Sequence, residues 1–316
     1  MEALILTPDS APLTRDIADY PEGIIIPIDK PYRWTSADVI RKVKYAAIRH
    51  FGKKNLKVGH AGTLDPLATG VLLVCIGKAT KLAEELQSHD KEYIAGVTFG
   101  ATTPSYDLEK EIDRFFPHEH ISAEAVHEAL PAFIGEQDQI APLFSAKSVD
   151  GVRAYELARK LYKANSENES VQSSELDTAA EQLLRVSRIN ITELELLSFA
   201  DRNEGLLDRA TRGTEAGGPQ AERSGGVSEA NVHEPSSCQH STTASSRINV
   251  TDNSALGLPR AEIRMACSKG TYVRAFARDL GEALGSGAHL DSLQRSRSGI
   301  FRVENALSVE QALQKL

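Results

Sequence analysis

Cysteine is scarce in this chain of 316 residues, which has three cysteines, two methionines and one tryptophan. The odd number and unpaired spacing of Cys75, Cys238 and Cys267 argue against a disulfide framework and against a zinc site. Cys75 and Cys267 stand in apolar runs, where a free cysteine packs as a small hydrophobic residue. We therefore expect both thiols to be free and buried.

Long hydrophobic runs are also missing. No stretch approaches the roughly 18 apolar residues that a membrane-spanning helix requires. The first residues lack the basic head and apolar run of a secretory signal. Hydrophobic residues make up 41% of the chain and charged residues 25%, a balance that is typical of globular proteins. We expect a cytoplasmic protein that makes no membrane contact.

An excess of positive charge is absent as well, since the formal net charge is −8. Residues 164–259 account for it with 15 acidic and 7 basic residues, whereas the rest of the chain holds 29 of each. Residues 39–64 contain no acidic residue and seven basic ones: Arg41, Lys42, Lys44, Arg49, Lys53, Lys54 and Lys57. A local basic surface can bind phosphates whatever the net charge of the chain, although a solvated helix face has the same composition.

Aromatic residues are absent from residues 201–259, where serine, glycine and threonine occupy 20 of 59 positions. Such a segment cannot bury enough apolar surface to offset its ordering entropy. We therefore interpret about 164–182 and 201–259 as disordered or loosely ordered insertions. They interrupt one predicted domain over residues 23–316, and residues 1–22 are expected to form a loose N-terminal extension.

Strands and helices are mixed without a regular alternation of the two, which favours an α+β fold. Strands are predicted over residues 23–28, 71–76, 91–100, 183–199 and 261–268. Helices are predicted to follow caps at Ser36, Ser122 and Ser308, and to cover 154–162 and 271–284.

Residues 59–70 are predicted to form a loop that contains three glycines, Asp65 and Pro66. Glycine permits positive φ angles and close approach of a ligand, and the proline biases Asp65 towards an extended conformation. A carboxylate in such a loop could be a metal ligand, a general base, a nucleophile or a turn residue. The spacing matches neither a Walker A loop nor a dinucleotide-binding GxGxxG motif.

The gap-free stretch GHAGTLDPLATGVLLVCIGKATK, residues 59–81, resembles the signature block of the TruB family of RNA pseudouridine synthases. Four further segments resemble other blocks of the family in the same order: GIIIPIDKPYRWTSADVIRKVK, KEYIAGVTFGATTPSYD, PLFSAKSVDGVRAYELAR and CSKGTYVRAFARDLGEALGSGAHLDSLQRSRSG. With the stretches between them, these segments cover roughly two thirds of the chain.

This resemblance implies a pseudouridine synthase fold, in which helices flank a mixed, mainly antiparallel central sheet with a catalytic cleft. It also implies the isomerisation of uridine to pseudouridine, with uridine-55 in the T-loop of tRNA as the substrate. The target base must leave the stack before it reacts. No metal and no organic cofactor are expected, and the expected partner is tRNA, bound through its T-loop and stem by a monomer.

Site residues follow from the match to the family's motifs. Asp65 corresponds to the nucleophile, Arg274 to the arginine that pairs with it, and Tyr93 to the tyrosine that stacks on the target base. The remaining substrate-binding residues implied by the resemblance are His60, Tyr272, Leu293, Lys81 and Lys269. Lys30, Lys81 and Lys269 stand in matching motifs and could either contact phosphate or RNA backbone or be solvated surface lysines. The basic stretch 41–57 and the late cluster of Arg295, Arg297 and Arg302 are suitable for contacts with the RNA backbone.

Two departures from the family pattern bear on the partners. The 316 residues leave no room for the C-terminal PUA-type RNA-binding domain that bacterial relatives usually carry. The acidic insertion at 201–259 has no counterpart in the pattern and could be a disordered loop that repels RNA or a contact for another protein. Two alternatives stay open: a guide-RNA-dependent, dyskerin-like synthase, and a catalytically idle tRNA-binding or chaperone protein. The missing PUA domain counts against the first, and the intact set of Asp65, Tyr93 and Arg274 against the second.

Overall fold

The computed structural model of the protein describes residues 2–145, 148–149, 152–153, 174, 176, 178–180, 186–202 and 248–316. The strands are β1 Leu4–Ile5, β2 Ile24–Lys30, β3 Val58–Ala61, β4 Ala68–Ile76, β5 Lys91–Phe99, β6 Ala101–Thr102, β7 Arg114–Phe115, β8 Gly135–Gln139, β9 Ser148–Val149, β10 Val152–Arg153, β11 Ser187–Ala200, β12 Arg260–Cys267, β13 Ala288–Ser298 and β14 Phe301–Arg302. The α-helices are α1 Ser36–Phe51, α2 Ala83–Ser88, α3 Ala123–Ala129, α4 Val273–Ala283 and α5 Val309–Lys315.

A ten-stranded sheet forms the centre of the fold, in the order β1-β2-β4-β13-β5-β12-β11-β8. Strand β3 adds to β4, and β14 adds to β13. The pairs β1–β2 and β4–β13 are parallel, whereas the other pairs in this sheet are antiparallel. The prediction of an α+β fold with a mixed, mainly antiparallel sheet is therefore confirmed.

Strand β2 shows why the first predicted strand is apolar without alternation. Ile24, Ile26 and Ile28 belong to the main core, which α1 and α5 help to cover. Ile25 belongs to a second cluster on the opposite face, with Leu86 of α2. Because both faces of the strand are covered, every position excludes water and a continuous apolar run results.

Helix α1 buries the stripe that its sequence predicts, with Val39, Val43 and Ala47 inside. The predicted cap at Ser36 is wrong, because Thr35 caps the helix instead. The Thr35 hydroxyl accepts from the Asp38 N–H at 3.0 Å, and the Asp38 carboxylate accepts from the Thr35 N–H at 3.0 Å. This reciprocal pair is a capping box, which satisfies two N–H groups at the helix start and leaves Ser36 free for another partner.

The expectation of a loose extension is wrong for residues 2–22. Strand β1 pairs in parallel with β2, and Leu6 is completely buried in the main core. The Leu13 N–H donates to the Lys315 carbonyl at 2.8 Å, which ties this segment to the end of α5. Packing against the sheet supplies the order that local composition does not indicate.

The insertions are only partly described. The predicted helix 154–162, most of 164–182, residues 203–247 and Cys238 lie outside the described residues. Residues 248–259 are docked rather than loose, since the Thr251 N–H donates to the Leu108 carbonyl at 2.8 Å and Leu258 is buried.

Several local predictions are confirmed. Ser122 caps α3, and Ser308 forms a capping box with Gln311 at the start of α5. Cys75 and Cys267 are free and buried, and burial raises the pKa of each thiol to about 11. In the part of the chain that the structure describes, no helix is long and apolar enough to cross a membrane.

Candidate active site

The loop that carries Asp65 is shorter than predicted, because β3 extends to Ala61 and β4 begins at Ala68. Only residues 62–67 lie between the two strands. The Ser36 hydroxyl accepts from the Leu64 N–H at 3.0 Å and lies 3.1 Å from the Leu64 carbonyl oxygen, to which it also donates. The buried start of α1 therefore fixes the middle of the loop.

Two buried cations fix the ends of this loop. The Lys30 amine donates to the carbonyls of Pro66, Pro31 and Trp34 at 3.2, 3.0 and 2.6 Å. Arg295 donates to the carbonyls of Gly62 and Val71 at 3.1 and 2.7 Å. Burial lowers the pKa of Lys30 to about 7. Both side chains are almost completely buried and donate to backbone carbonyls, so they lie neither at a solvated surface nor where they could reach a phosphate outside the protein.

Gly70 allows the sheet to close around Arg295. Its φ is +96°, and a Cβ at this position would lie 2.3 Å from the Arg295 carbonyl oxygen. Only glycine combines this backbone conformation with so close an approach. The glycine of the signature block therefore serves the parallel pairing of β4 with β13.

Asp65 is paired with Arg274, as the motif match predicts for the two residues. The Arg274 Nε donates to Asp65 Oδ2 at 2.9 Å, across 209 positions of sequence. The Asp65 side chain is 38% exposed, whereas that of Arg274 is 6% exposed. One carboxylate at the surface of a cleft is therefore held against a cation that the protein encloses.

Arg274 is fixed by more than Asp65. Its two terminal nitrogens donate to the carbonyls of Ser105 and Phe144 at 3.0 and 2.7 Å. Asp107 Oδ2 lies 3.8 Å from Arg274 Nε, so two carboxylates share one guanidinium. Burial opposes the charge on Arg274, but these two carboxylates raise its pKa above the ordinary arginine value.

Asp107 is a site residue that the sequence reasoning missed. Its Oδ1 accepts from the Ser105 hydroxyl at 2.6 Å and from the Glu109 N–H at 2.9 Å. Burial raises the pKa of this carboxyl to about 6, although Arg274 and the two hydrogen bonds act in the opposite direction. Asp107 stands at the end of the segment KEYIAGVTFGATTPSYD, but no local pattern indicates its pairing with a residue on α4.

A cleft of about 410 Å³ opens in front of Asp65. It brings together six of the eight predicted site residues: Asp65, Tyr93, Lys269, Tyr272, Arg274 and Leu293. Strand β5 contributes Tyr93, and β13 contributes Leu293 and Arg295 beside it. Burial raises the pKa of the Tyr93 and Tyr272 phenols, which therefore stay neutral at physiological pH.

His60 lines a second cleft, of about 390 Å³, on another side of Asp65. Thr35, Ala37 and Glu109 line the same space. Burial lowers the pKa of His60, and its Nδ1 is buried without a hydrogen-bond partner among the described residues. A neutral imidazole with an unused nitrogen can accept or donate one hydrogen bond to a nucleotide.

The predicted lysines and late arginines differ in position. Lys269 is exposed at the rim of the first cleft, whereas Lys81 is exposed but lines neither cleft. Arg302 is exposed, and Arg297 is half-buried and donates to the Gly299 carbonyl at 3.2 Å. The structure therefore brings Lys269 to the site and leaves Lys81 outside it.

No metal-binding cluster of three or more histidine, cysteine or acidic side chains occurs among the residues that the structure describes. The site places a partly exposed carboxylate, a buried counter-charge and aromatic side chains around one cleft. A positioned carboxylate can form a covalent intermediate and split one difficult step into two easier ones.

Comparison with known proteins agrees with this geometry. Residues 49–204 match the model of the TruB family pseudouridylate synthase (N terminal domain). The chain is 44% identical to the tRNA pseudouridine synthase B of Phocaeicola vulgatus, over 92% of each chain. It is 42% identical to that of Bacteroides thetaiotaomicron over 92% of each chain. It is 33% identical to that of Deinococcus radiodurans over 90% of this chain and 77% of the relative.

Among solved structures, a chain of a Cbf5-Nop10-Gar1 complex superposes with a TM-score of 0.51 at 20% identity. The match covers 99% of this chain and 64% of that one, and it supports the fold alone. The sequence relatives carry the assignment further, because their identity extends over nearly the whole chain. The chain therefore belongs to the TruB family of pseudouridylate synthases.

Proposed function

We propose that this protein isomerises uridine to pseudouridine in tRNA, at uridine-55 of the T-loop. The observation that carries the proposal is the half-exposed carboxylate of Asp65, which faces a cleft and is paired with the enclosed Arg274. The relatives named tRNA pseudouridine synthase B support tRNA as the substrate. A tRNA substrate also fits a cytoplasmic protein.

The reaction requires no redox partner. The bond between the ribose C1′ and N1 of uracil breaks, the base turns, and a new bond forms from C1′ to C5. The net change moves one hydrogen from C5 to N1, so substrate and product are isomers. Asp65 acts as the nucleophile, and Arg274 orients its carboxylate. The cleft of about 410 Å³ offers room for one flipped-out uridine.

The cleft walls offer contacts that replace the lost base stack. Tyr93 is buried at the floor of the cleft and presents an aromatic ring, and Leu293 lies on the neighbouring strand. An aromatic ring can stack on an extruded base and offset the cost of unstacking it. Tyr272 supplies a second ring at the start of α4, and His60 reaches the nucleotide from the second cleft.

The test is pseudouridine formation in an unmodified tRNA transcript by the natural chain and by Asp65→Asn. We expect product at position 55 with the natural chain and a loss of at least about a thousand-fold with the variant, because the nucleophile is gone. Asp9→Asn is the matched control, since Asp9 is exposed and lines neither cleft. Equal product from Asp65→Asn and the natural chain would remove Asp65 from the mechanism.

The same assay separates the alternatives. Activity on bare transcript without added guide RNA excludes a guide-dependent synthase. Binding of tRNA without product from the natural chain favours an idle binder. Sedimentation of the active species tests the expected monomer. A pull-down with residues 203–247 deleted tests the proposed protein contact of the insertion and keeps the docked residues 248–259 in place.

A further inference from the structure

The outer face of α1 carries an exposed aromatic residue in the middle of a basic surface. Tyr45 is 66% exposed, the second highest value among the large hydrophobic residues exposed in the described part of the chain. At 100° per residue, it lies opposite the stripe formed by Val39, Val43 and Ala47. Neither core packing nor the capping of the helix accounts for an aromatic ring at this position.

Basic side chains surround this ring. Arg41 and Arg49 stand four residues before and after Tyr45, so they lie one turn to either side on the same face. Lys44 is also exposed on this helix, and Lys53, Lys54 and Lys57 follow in the exposed loop beyond Gly52. The helix therefore forms the start of a longer positive surface.

The one acidic side chain of this helix is already paired, so it does not cancel the positive charge of the exposed face. Asp38 is the one carboxylate of α1, and it accepts from the Thr35 N–H and from the Arg41 guanidinium at 2.8 Å. Residues 39–64 contain no acidic residue. The positive potential that remains comes from Lys42, Lys44, Arg49 and the three lysines of the loop, in a chain whose net charge is −8.

The same helix begins at the active site. Thr35, Ser36 and Ala37 line the second cleft together with Asp65. A helix of 16 residues extends for about 24 Å. Tyr45 follows Ser36 by nine residues, so it stands about 14 Å along the axis from the cleft. The exposed face of α1 therefore lies within reach of an RNA strand whose target nucleotide occupies the cleft.

We propose that the face formed by Lys44, Tyr45 and Arg49 binds the RNA strand next to the target nucleotide. Lys44 and Arg49 contact phosphates, and Tyr45 stacks on an unpaired base or on its ribose. Aromatic stacking of a base is tolerant of sequence, and phosphate contacts make binding depend on salt. This inference rests on the proposed function, because it takes RNA as the ligand of the cleft.

The test measures binding of an unmodified T stem–loop RNA to Asp65→Asn, in which turnover is blocked, between 50 and 300 mM salt. Adding Tyr45→Ala is expected to raise Kd about five-fold or more, and Tyr45→Phe to restore the parent value. Lys44→Gln and Arg49→Gln are each expected to lower the slope of log K against log salt by about 0.7.

Two controls match these changes elsewhere on the surface. Phe115→Ala removes another aromatic ring that is 61% exposed, and Arg188→Gln removes another exposed arginine, one that is paired with Glu136 and Asp138. Neither is expected to change Kd or the salt slope. An unchanged Kd with Tyr45→Ala, or unchanged slopes with Lys44→Gln and Arg49→Gln, overturns the proposal and points to another ligand, such as an acidic protein.

The proposed function is judged separately, by pseudouridine formation with Asp65 intact. If the natural chain forms product but the Tyr45 and Arg49 variants bind RNA as tightly as their parent, only the proposal that this face binds RNA is overturned. Weakened binding by these variants without product overturns only the catalytic function.

Discussion

Replacement of Asp107 by asparagine separates the charge of this carboxylate from its shape. Asp107 Oδ1 already accepts from Ser105 and from the Glu109 N–H, so the amide oxygen of an asparagine would take that place. The amide nitrogen would then face Arg274, where Asp107 Oδ2 now lies 3.8 Å from Nε. The guanidinium would lose one of its two carboxylates and keep Asp65.

The structure sets the size of two opposing effects. Two unit charges 3.8 Å apart attract each other by about 4 kcal/mol at an effective dielectric constant near 20. Against this, burial raises the pKa of Asp107 from 3.8 to about 6. Keeping the group ionised in the folded state therefore costs about 3 kcal/mol, at about 1.4 kcal/mol per pKa unit.

The sign of the pH dependence follows from this raised pKa. Between pH 3.8 and about 6, the folded protein binds a proton that the unfolded chain has released. The contribution of protonated Asp107 to the free energy of unfolding is therefore complete below pH 3.8 and is lost as the pH rises through 6. Asp107→Asn restores up to about 3 kcal/mol of that free energy at pH 7.5.

The effect on catalysis has the opposite sign. With one carboxylate removed, Arg274 holds Asp65 more tightly, and this hold must loosen when Asp65 attacks. If about half of the 4 kcal/mol attraction between Arg274 and Asp107 is transferred to the pair of Arg274 and Asp65, the rate of pseudouridine formation falls about 30-fold. The variant is thus expected to be more stable and slower than the natural chain.

Single-turnover pseudouridine formation and urea unfolding, each from pH 5 to 8, check both expectations. The natural chain should lose activity as the pH falls through 6, whereas Asp107→Asn should be uniformly slow. Ser105→Ala is the matched control, because it keeps the Asp107 carboxylate but removes a hydrogen bond that lowers the pKa of Asp107. In this variant the loss of activity at acidic pH should begin at a higher pH than in the natural chain. The reasoning would be refuted if Asp107→Asn formed pseudouridine at the rate of the natural chain and lost activity below pH 6 in the same way.

Three further predictions concern the loop and the N-terminal segment. Lys30→Met removes the amine that donates to the carbonyls of Pro31, Trp34 and Pro66, of which only Pro31 keeps another donor, the Trp34 N–H. It should lower the free energy of unfolding by about 1–3 kcal/mol in urea titrations; no loss would show that the amine is dispensable. Gly70→Ala places a methyl group 2.3 Å from the Arg295 carbonyl and should cost more than about 2 kcal/mol by the same assay. Leu6→Ala should cost about 2–4 kcal/mol, because Leu6 is completely buried; a cost near zero would restore the loose extension.

Local sequence predicts the elements whose burial is either periodic or continuous along the element. The stripe of α1 and the runs of β2 and β4 are visible because one face, or both faces, of each element meet the core. The sequence predicts the cap of α1 one residue too late, at Ser36 instead of Thr35, because serine and threonine are both common capping residues. In the structure the Ser36 hydroxyl is hydrogen-bonded to the backbone N–H and carbonyl of Leu64, so Thr35 caps the helix.

Nonlocal pairing explains what the sequence could not reveal. Arg295 looks like a surface arginine in a polar strand, but its partners at Gly62 and Val71 lie more than 220 positions earlier. Leu6 stands in a short apolar run too brief to predict a strand, and it is buried because β1 pairs with β2. The resemblance to a family identified Asp65 and Arg274 without showing that Asp107 shares the arginine.

The buried basic side chains around the loop explain how, in the proposed mechanism, Asp65 can be held in place and still act as the nucleophile. Lys30, Arg295 and Arg274 all lie close to the loop of residues 62–67, and each is almost completely buried. Lys30 and Arg295 donate to backbone carbonyls, so their hydrogen bonds order the loop without engaging the Asp65 carboxylate. Arg274 alone donates to the Asp65 carboxylate among the described hydrogen bonds, and Asp107 shares the charge of that arginine. Asp65 is thus oriented by one cation whose attraction is already divided between two carboxylates, and under the proposed function this leaves the Asp65 carboxylate available to attack.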